Sequence, residues 1–154
     1  MKAAVFTGLK RIEVQDVPTP EPKPDEVLIR IHACGICPSD LRSYTGVRPS
    51  GRGGPYTPGH EWAGEIIAVG AGVQSWQVGD RVAPSWRVVC GTCHYCVRGI
   101  HNYCERLRRG VVRGGFAEYG AATVDSLYRI PAGVTYEEAC FAEPLACCIN
   151  GSRW

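Results

Sequence analysis

The chain has 154 residues, 45% of them hydrophobic and 21% charged, which excludes a disordered chain and suffices for one domain burying roughly 70% of its unfolded surface. A formal charge of +2 gives no net basic drive toward nucleic acid, and the longest apolar stretch is only a few residues, too short to span a membrane. With 19 Gly and 11 Pro the composition favours turns and short strands, so mostly β structure is expected.

Lys2 to Phe6 and Arg11 to Val17 read as two strands of a hairpin joined by a turn at Gly8. Pro18, Pro20, Pro22 and Pro24 make an extended connection, and Glu26 to Ala33 resumes a strand with Val27, Ile29 and Ile31 on one face. It delivers Cys34-Gly-Ile-Cys37, after which Pro38 to Ser43 reads as a short helix with Pro38 in its first turn. The Gly- and Pro-rich stretch from Gly46 to Gly59 reads as a surface loop beside a cleft, and His60-Glu61 follows it directly. Glu65 to Val69, Arg81 to Ala83, Phe116 to Tyr119 and Leu127 to Ile130 read as further strands. Thr135 is expected to cap a helix with Glu138 completing a capping box, and Pro144 to Asn150 reads as a last helix stopped at Gly151.

Cys90, Cys93, Cys96 and Cys104 follow the spacing C-x2-C-x2-C-x7-C, which suits one tetrahedral metal held by four thiolates, with Gly91 and Gly99 supplying bends. A disulfide framework fits less well. The chain has 9 Cys, an odd number, and its first residues contain no secretory apolar region, so a reducing cytoplasm is expected. Four thiolates also suit an iron–sulfur cluster, the minor alternative to zinc. Four sulfurs close the shell of a zinc ion, so this lobe, about residues 88–106, is expected to fold rather than catalyse. The basic run Arg106, Arg108, Arg109 and Arg113 lacks interleaved aromatics and reads as a solvated loop.

Cys37, His60 and Glu61 each fall where a strand meets a loop, and all three residue types ligate zinc; a catalytic site needs three ligands and an open position. On spacing alone a His next to Glu is more often a surface pair than a ligand pair, so His60-Glu61 reads first as a surface pair. Cys34-Gly-Ile-Cys37 and Cys147-Cys148 raise thiol redox chemistry. No thioredoxin-like pattern surrounds them, and Cys34, Cys140, Cys147 and Cys148 read as small buried apolar residues.

Gly35-Ile-Cys37-Pro-Ser-Asp40, Gly59-His-Glu61 with Gly64, Val69-Gly-Ala-Gly-Val73, Val78-Gly-Asp-Arg-Val82, the four-cysteine lobe and Glu143-Pro-Leu145 occur in that order across almost the whole chain. Together they resemble the zinc-dependent medium-chain alcohol dehydrogenases, in particular the polyol and threonine dehydrogenase branch. The resemblance implies a mainly β, GroES-like, partly open barrel over residues 1–154, with a zinc lobe and short helices. It implies two Zn2+ per chain. Cys37 and His60 would be catalytic zinc ligands, Glu61 a third ligand or one exchanging with water, and Glu143 a further ligand or water-holding group. Ser39 would take the place of the hydroxyl that hydrogen-bonds the alcohol and passes its proton outward, and Asp40 would be the carboxylate that steadies the ligand histidine. Five residues after Cys37 many relatives have a histidine that ends the proton relay. Arg42 stands there and does not titrate near neutrality.

The activity implied is dehydrogenation of a small-molecule alcohol, polyol or hydroxy-amino acid by a zinc-bound alkoxide donating hydride to a nicotinamide. Relatives carry the Rossmann domain that binds NAD or NADP after the segment present here, so that domain is expected to be absent from this chain, and any homo-oligomer would form through the full-length enzyme. Gly70-Ala-Gly72 is not a dinucleotide fingerprint, because Ser75 fills its third glycine position and no helical periodicity follows; a turn between strands is expected. A zinc-binding module without catalysis is the alternative function, against which the retention of Cys37, Ser39, His60, Glu61 and Glu143 speaks.

Overall fold

The computed structural model describes residues 1–46, 54–109 and 114–152, with only the backbone of Arg108 and Arg109. Strands β1 (Lys2–Gly8) and β2 (Arg11–Asp16) form the expected hairpin, with Lys2 opposite Asp16 and Phe6 opposite Ile12. Its turn lies beyond Gly8, which still pairs with Arg11, and is made at Lys10 with φ 54°. The chain continues through β3 (Glu26–Gly35), α1 (Pro38–Thr45), β4 (Glu61–Val69), β5 (Arg81–Pro84), β6 (Arg87–Val88) and β7 (Arg108–Arg109). It ends with β8 (Tyr119–Thr123), β9 (Leu127–Arg129), α2 (Tyr136–Ala139) and α3 (Ala142–Gly151).

One antiparallel sheet in the order β8-β3-β4-β5-β9 carries the domain, and β6 pairs with β7 apart from it. The β1 strand hooks onto the approach to β8: Ala3 bridges Ala117, and the Ala4 N–H donates to the Phe116 carbonyl at 2.8 Å. The result is mainly β and partly open. All strand pairs among the described residues are antiparallel, so no βαβ unit occurs there. The turn at Gly70 to Gly72 is tied back to the start of β3, its N–H groups donating to the Glu26 and Pro24 carbonyls.

Val27, Ile29, Trp62, Ile66, Val82, Ala122 and Leu127 bury the centre of the sheet. Complete burial of each aliphatic side chain contributes roughly 1.5–3 kcal/mol. A smaller cluster of Ala63, Ala139 and Cys140 seats α2 on the sheet. Its capping box is formed as expected: the Thr135 N–H donates to Glu138 Oε2 at 2.8 Å and the Glu138 N–H to Thr135 Oγ1 at 3.1 Å.

Several boundaries differ from expectation for packing reasons. The strand expected at Phe116 to Tyr119 begins only at Tyr119, because Phe116 to Glu118 pair with β1 instead. Its Gly-Ala-Ala sequence has weak strand propensity, and a β-carbon at Gly120 would stand 2.9 Å from the Trp62 ring. β4 starts at Glu61 rather than Glu65, with Gly64 letting it lie against the Arg30 backbone. The last helix begins two residues early at Ala142 and includes Gly151, with Ser152 after it. Of the expected loop at Gly46 to Gly59, residues 47–53 lie outside the described residues, and its end is not on the surface: Pro58 and Gly59 are buried.

Candidate metal centres

The cysteine lobe is made from tight turns. Gly91 and Gly99 adopt φ 72° and 75° with open space where a side chain would be, so they serve as bends rather than as close contacts. Single 3-10 turns at Cys96–Arg98 and His101–Tyr103 separate the third and fourth cysteines. The sulfurs of Cys90, Cys93, Cys96 and Cys104 all lie within 4.8 Å of one another. A tetrahedral ion with metal–sulfur bonds of about 2.3 Å requires sulfurs about 3.8 Å apart, and Cys90 and Cys96 stand 3.8 Å apart. Backbone amides already face the sulfurs: the Cys93 N–H donates to Cys90 Sγ at 3.4 Å and the Cys90 N–H to Cys104 Sγ at 3.3 Å. Amides at Thr92 and Cys93 lower the Cys90 thiol pKa, while burial raises that of Cys96. Four thiolates together would need a cation, and the donor set and spacing fit zinc. In the basic run, Arg106 is exposed and donates to Thr92 Oγ1 at 2.6 Å; Arg113 lies outside the described residues.

A second cluster forms at the ends of β3 and β4. Cys37 caps α1 in an extended conformation (φ −82°, ψ 148°), His60 precedes β4 and Glu61 opens it. Their ligand atoms also lie within 4.8 Å of one another, with Glu61 buried and the other two half-buried. Sequence distance is bridged by register: Gly35 pairs with Glu61 across the β3–β4 ladder, so the ends of the two strands bring Cys37 and Glu61 together. Thiolate, imidazole and carboxylate are a zinc donor set with one position left over. Asp40, 8% exposed on the first turn of α1, accepts the Cys37 N–H at Oδ2 (3.1 Å) and places Oδ1 3.9 Å from His60 Nδ1.

Ser39 is exposed on the first turn of α1, and Arg42 is exposed on its last. Glu143 is half-buried on the first turn of α3 and stands outside the three-residue cluster. All nine cysteines are free. Cys140 is buried as expected, whereas Cys34 is only half-buried; burial, with the charges of Asp40, Cys140 and Glu61, pushes the Cys34 thiol up to about 12. Cys147 and Cys148 are not buried. They sit exposed on α3, a helix with no buried residue, which leaves Phe141, Leu145 and Ile149 exposed as well. The Cys147 thiol is raised by partial burial first, then by the charges of Glu143, Cys148, Cys37 and Glu61. It therefore lies within electrostatic reach of the cluster, a proximity signalled in the sequence only by its four-residue spacing from Glu143.

Residues 23–132 match the family model of the alcohol dehydrogenase GroES-like domain. The chain belongs to that family. A sorbitol dehydrogenase of Bacillus subtilis (strain 168) is 41% identical over 99% of this chain. Galactitol-1-phosphate dehydrogenase from Escherichia coli superposes with a TM-score of 0.86 at 32% identity over 97% of the chain, which covers 43% of that structure. A provisionally assigned zinc-binding dehydrogenase from Sinorhizobium meliloti 1021, bound to NADP, gives a TM-score of 0.84 at 37% identity, covering 99% of this chain and 44% of that one. The chain spans 44% of the length of the sorbitol dehydrogenase it matches. Zinc and a nicotinamide cofactor thus occur within the family. Among the described residues no helix is long and apolar enough to cross a membrane.

Proposed function

We propose that this GroES-like domain is the catalytic zinc domain of an NAD(P)-dependent alcohol or polyol dehydrogenase, holding one ion at Cys37, His60 and Glu61 and a second at Cys90, Cys93, Cys96 and Cys104. The observation that carries the reading is the convergence of Cys37, His60 and Glu61 within 4.8 Å beside a separate, fully closed four-sulfur cluster. A fold-stabilising metal needs only the second. The names of the relatives, sorbitol and galactitol-1-phosphate dehydrogenases, favour a polyhydroxylated substrate.

Zinc held at the first site supplies a Lewis acid that acidifies a bound hydroxyl and polarises the product carbonyl. The protein's own part is positional and protonic. Cys37 and Glu61 contribute negative charge, and the 7% exposure of Glu61 keeps that charge poorly screened. Asp40, with Oδ1 3.9 Å from His60 Nδ1, would orient that ring and leave its other nitrogen for a ligand role. Ser39, exposed on the first turn of α1, would accept the substrate hydroxyl proton and release its own to water, since Arg42 is no proton acceptor. Glu143, half-buried on the first turn of α3, would hold water or complete the site. NAD or NADP would be bound by residues outside this domain, and any cytoplasmic homo-oligomer would belong to the whole enzyme.

The test is metal content and turnover together. The isolated chain should bind two zinc ions and reduce NAD or NADP negligibly with sorbitol, galactitol 1-phosphate or threonine. Joined to a dinucleotide-binding domain from a relative, it should turn over a polyol, and Cys37→Ser should abolish that turnover. Robust NAD reduction by the isolated chain, or a turnover indifferent to Cys37→Ser, would contradict the assignment.

A further inference from the structure

Gly35 is the last residue of β3 and pairs across the ladder with Glu61. Glycine inside a strand weakens it and marks a place where something approaches closely. Backbone conformation does not require glycine here, because Gly35 is not among the residues with positive φ. What requires it is Glu61. A β-carbon on Gly35 would stand 2.5 Å from Glu61 Oε2 and 3.3 Å from Glu61 Cβ. The buried carboxylate thus lies in the space that any side chain at position 35 would fill, and this conformation puts it within reach of Cys37 and His60.

The opposite face of the same strand end is closely packed as well. Cys34, paired with Trp62, lies close to two more glycines: a β-carbon on Gly59 would come 3.0 Å from Cys34 Sγ, and one on Gly115 2.7 Å. Gly59 also needs its φ of 92° and carries His60 directly after it. The strand end, the loop that carries His60 and the Trp62 core therefore pack closely against one another.

We infer that Gly35 is a positioning residue: its missing side chain is what aims the Glu61 carboxylate at the Cys37–His60 pair, so that a methyl group at position 35 removes Glu61 from the site without touching either partner. The inference rests on the reading of Cys37, His60 and Glu61 as a metal site. Gly35→Ala changes no ligand and no charge, so its effect on metal affinity reports the geometry of Glu61 alone.

Cobalt(II) titration of the metal-free chain tests it, because thiolate-to-cobalt absorption reports each site without any need for turnover. The native chain should take two cobalt ions. Gly35→Ala should weaken the site containing Cys37 about tenfold or more and leave the four-cysteine site unchanged. Adding Glu61→Ala to Gly35→Ala should then cost nothing further, although Glu61→Ala alone in the native background weakens the site. Equal affinity in Gly35→Ala, or additive losses in the double variant, would overturn the inference. Should Gly35→Ala fail to fold, recovery of folding in the Gly35→Ala/Glu61→Ala chain supports the steric account and continued failure contradicts it. A native chain taking cobalt only at the four cysteines would overturn the metal-site reading and the inference with it.

Discussion

Asp40 Oδ1 lies 3.9 Å from His60 Nδ1 while Oδ2 of the same carboxylate accepts the Cys37 N–H at 3.1 Å. One buried carboxylate on the first turn of α1 therefore ties down the backbone of Cys37 and stands beside the ring of His60. Asp40→Asn keeps the size of the side chain and loses the charge. Its affinity for cobalt or zinc at the Cys37 site should fall about tenfold, the cost typical of removing a ligand's orienting partner. Competition with a chromophoric chelator measures it; unchanged affinity would show that Asp40 plays no orienting part.

The register of β3 against β4 depends on another glycine. A β-carbon on Gly64 would stand 2.0 Å from the Arg30 carbonyl oxygen, in backbone that has no room to move. Gly64→Ala should cost more than about 2 kcal/mol in urea unfolding, in the range of severe core disruption. Stability within about 0.5 kcal/mol of native would contradict this close approach.

Asp80 joins the turn before β5 to β9. Its Oδ1 accepts from Arg129 Nη1 at 2.7 Å and its Oδ2 from the Gln77 N–H at 3.0 Å, and Arg129 also lies over the Trp76 ring at 4.5 Å. The Arg129 hydrogen bond, with lesser help from the Gln77 amide and the charge of Arg129, holds the carboxyl below its ordinary 3.8 against the opposing effect of burial. A folded pKa below the unfolded one gives stability that is present above the unfolded value and lost as pH falls through the folded one. The native chain should exceed Asp80→Asn by about 1 kcal/mol or less at neutral pH. That gap should stay constant down to about pH 5 and close below about pH 4. Thermal unfolding of both chains across pH 3 to 7 measures it, and a gap that widens in acid would refute the sign.

Thiol reactivity separates the cysteines by burial. In the zinc-loaded chain a thiol reagent at pH 8 should modify Cys147 and Cys148, exposed on α3, and spare Cys34, whose thiol is pushed up to about 12. Mass mapping of the first modified sites gives the answer. Early labelling at Cys34 would contradict its protonated, half-buried state.

The cysteine lobe, the Glu138 capping box and the hairpin were legible because each is local: spacing, a capping pair and alternation are written within a few residues. Cys37, His60 and Glu61 became a site only through motif order, since nothing local shows that Gly35 pairs with Glu61. What escaped was decided by packing at a distance. β8 carries Gly120, where a β-carbon would stand 2.9 Å from the Trp62 ring, and Ala122 in the same buried cluster, small residues suited to that ring rather than to strand propensity. Cys147 and Cys148 read as core by composition, yet α3 has no described element over that face.

Counting metal tests the central claim most directly. Native mass spectrometry of the chain, folded with zinc and freed of excess, should show two zinc ions, falling to one in Cys37→Ser by loss at the Cys37–His60–Glu61 cluster and to one in Cys104→Ser by loss at the cysteine lobe. A native chain carrying a single zinc, with Cys37→Ser still carrying it, would contradict a second, open metal site.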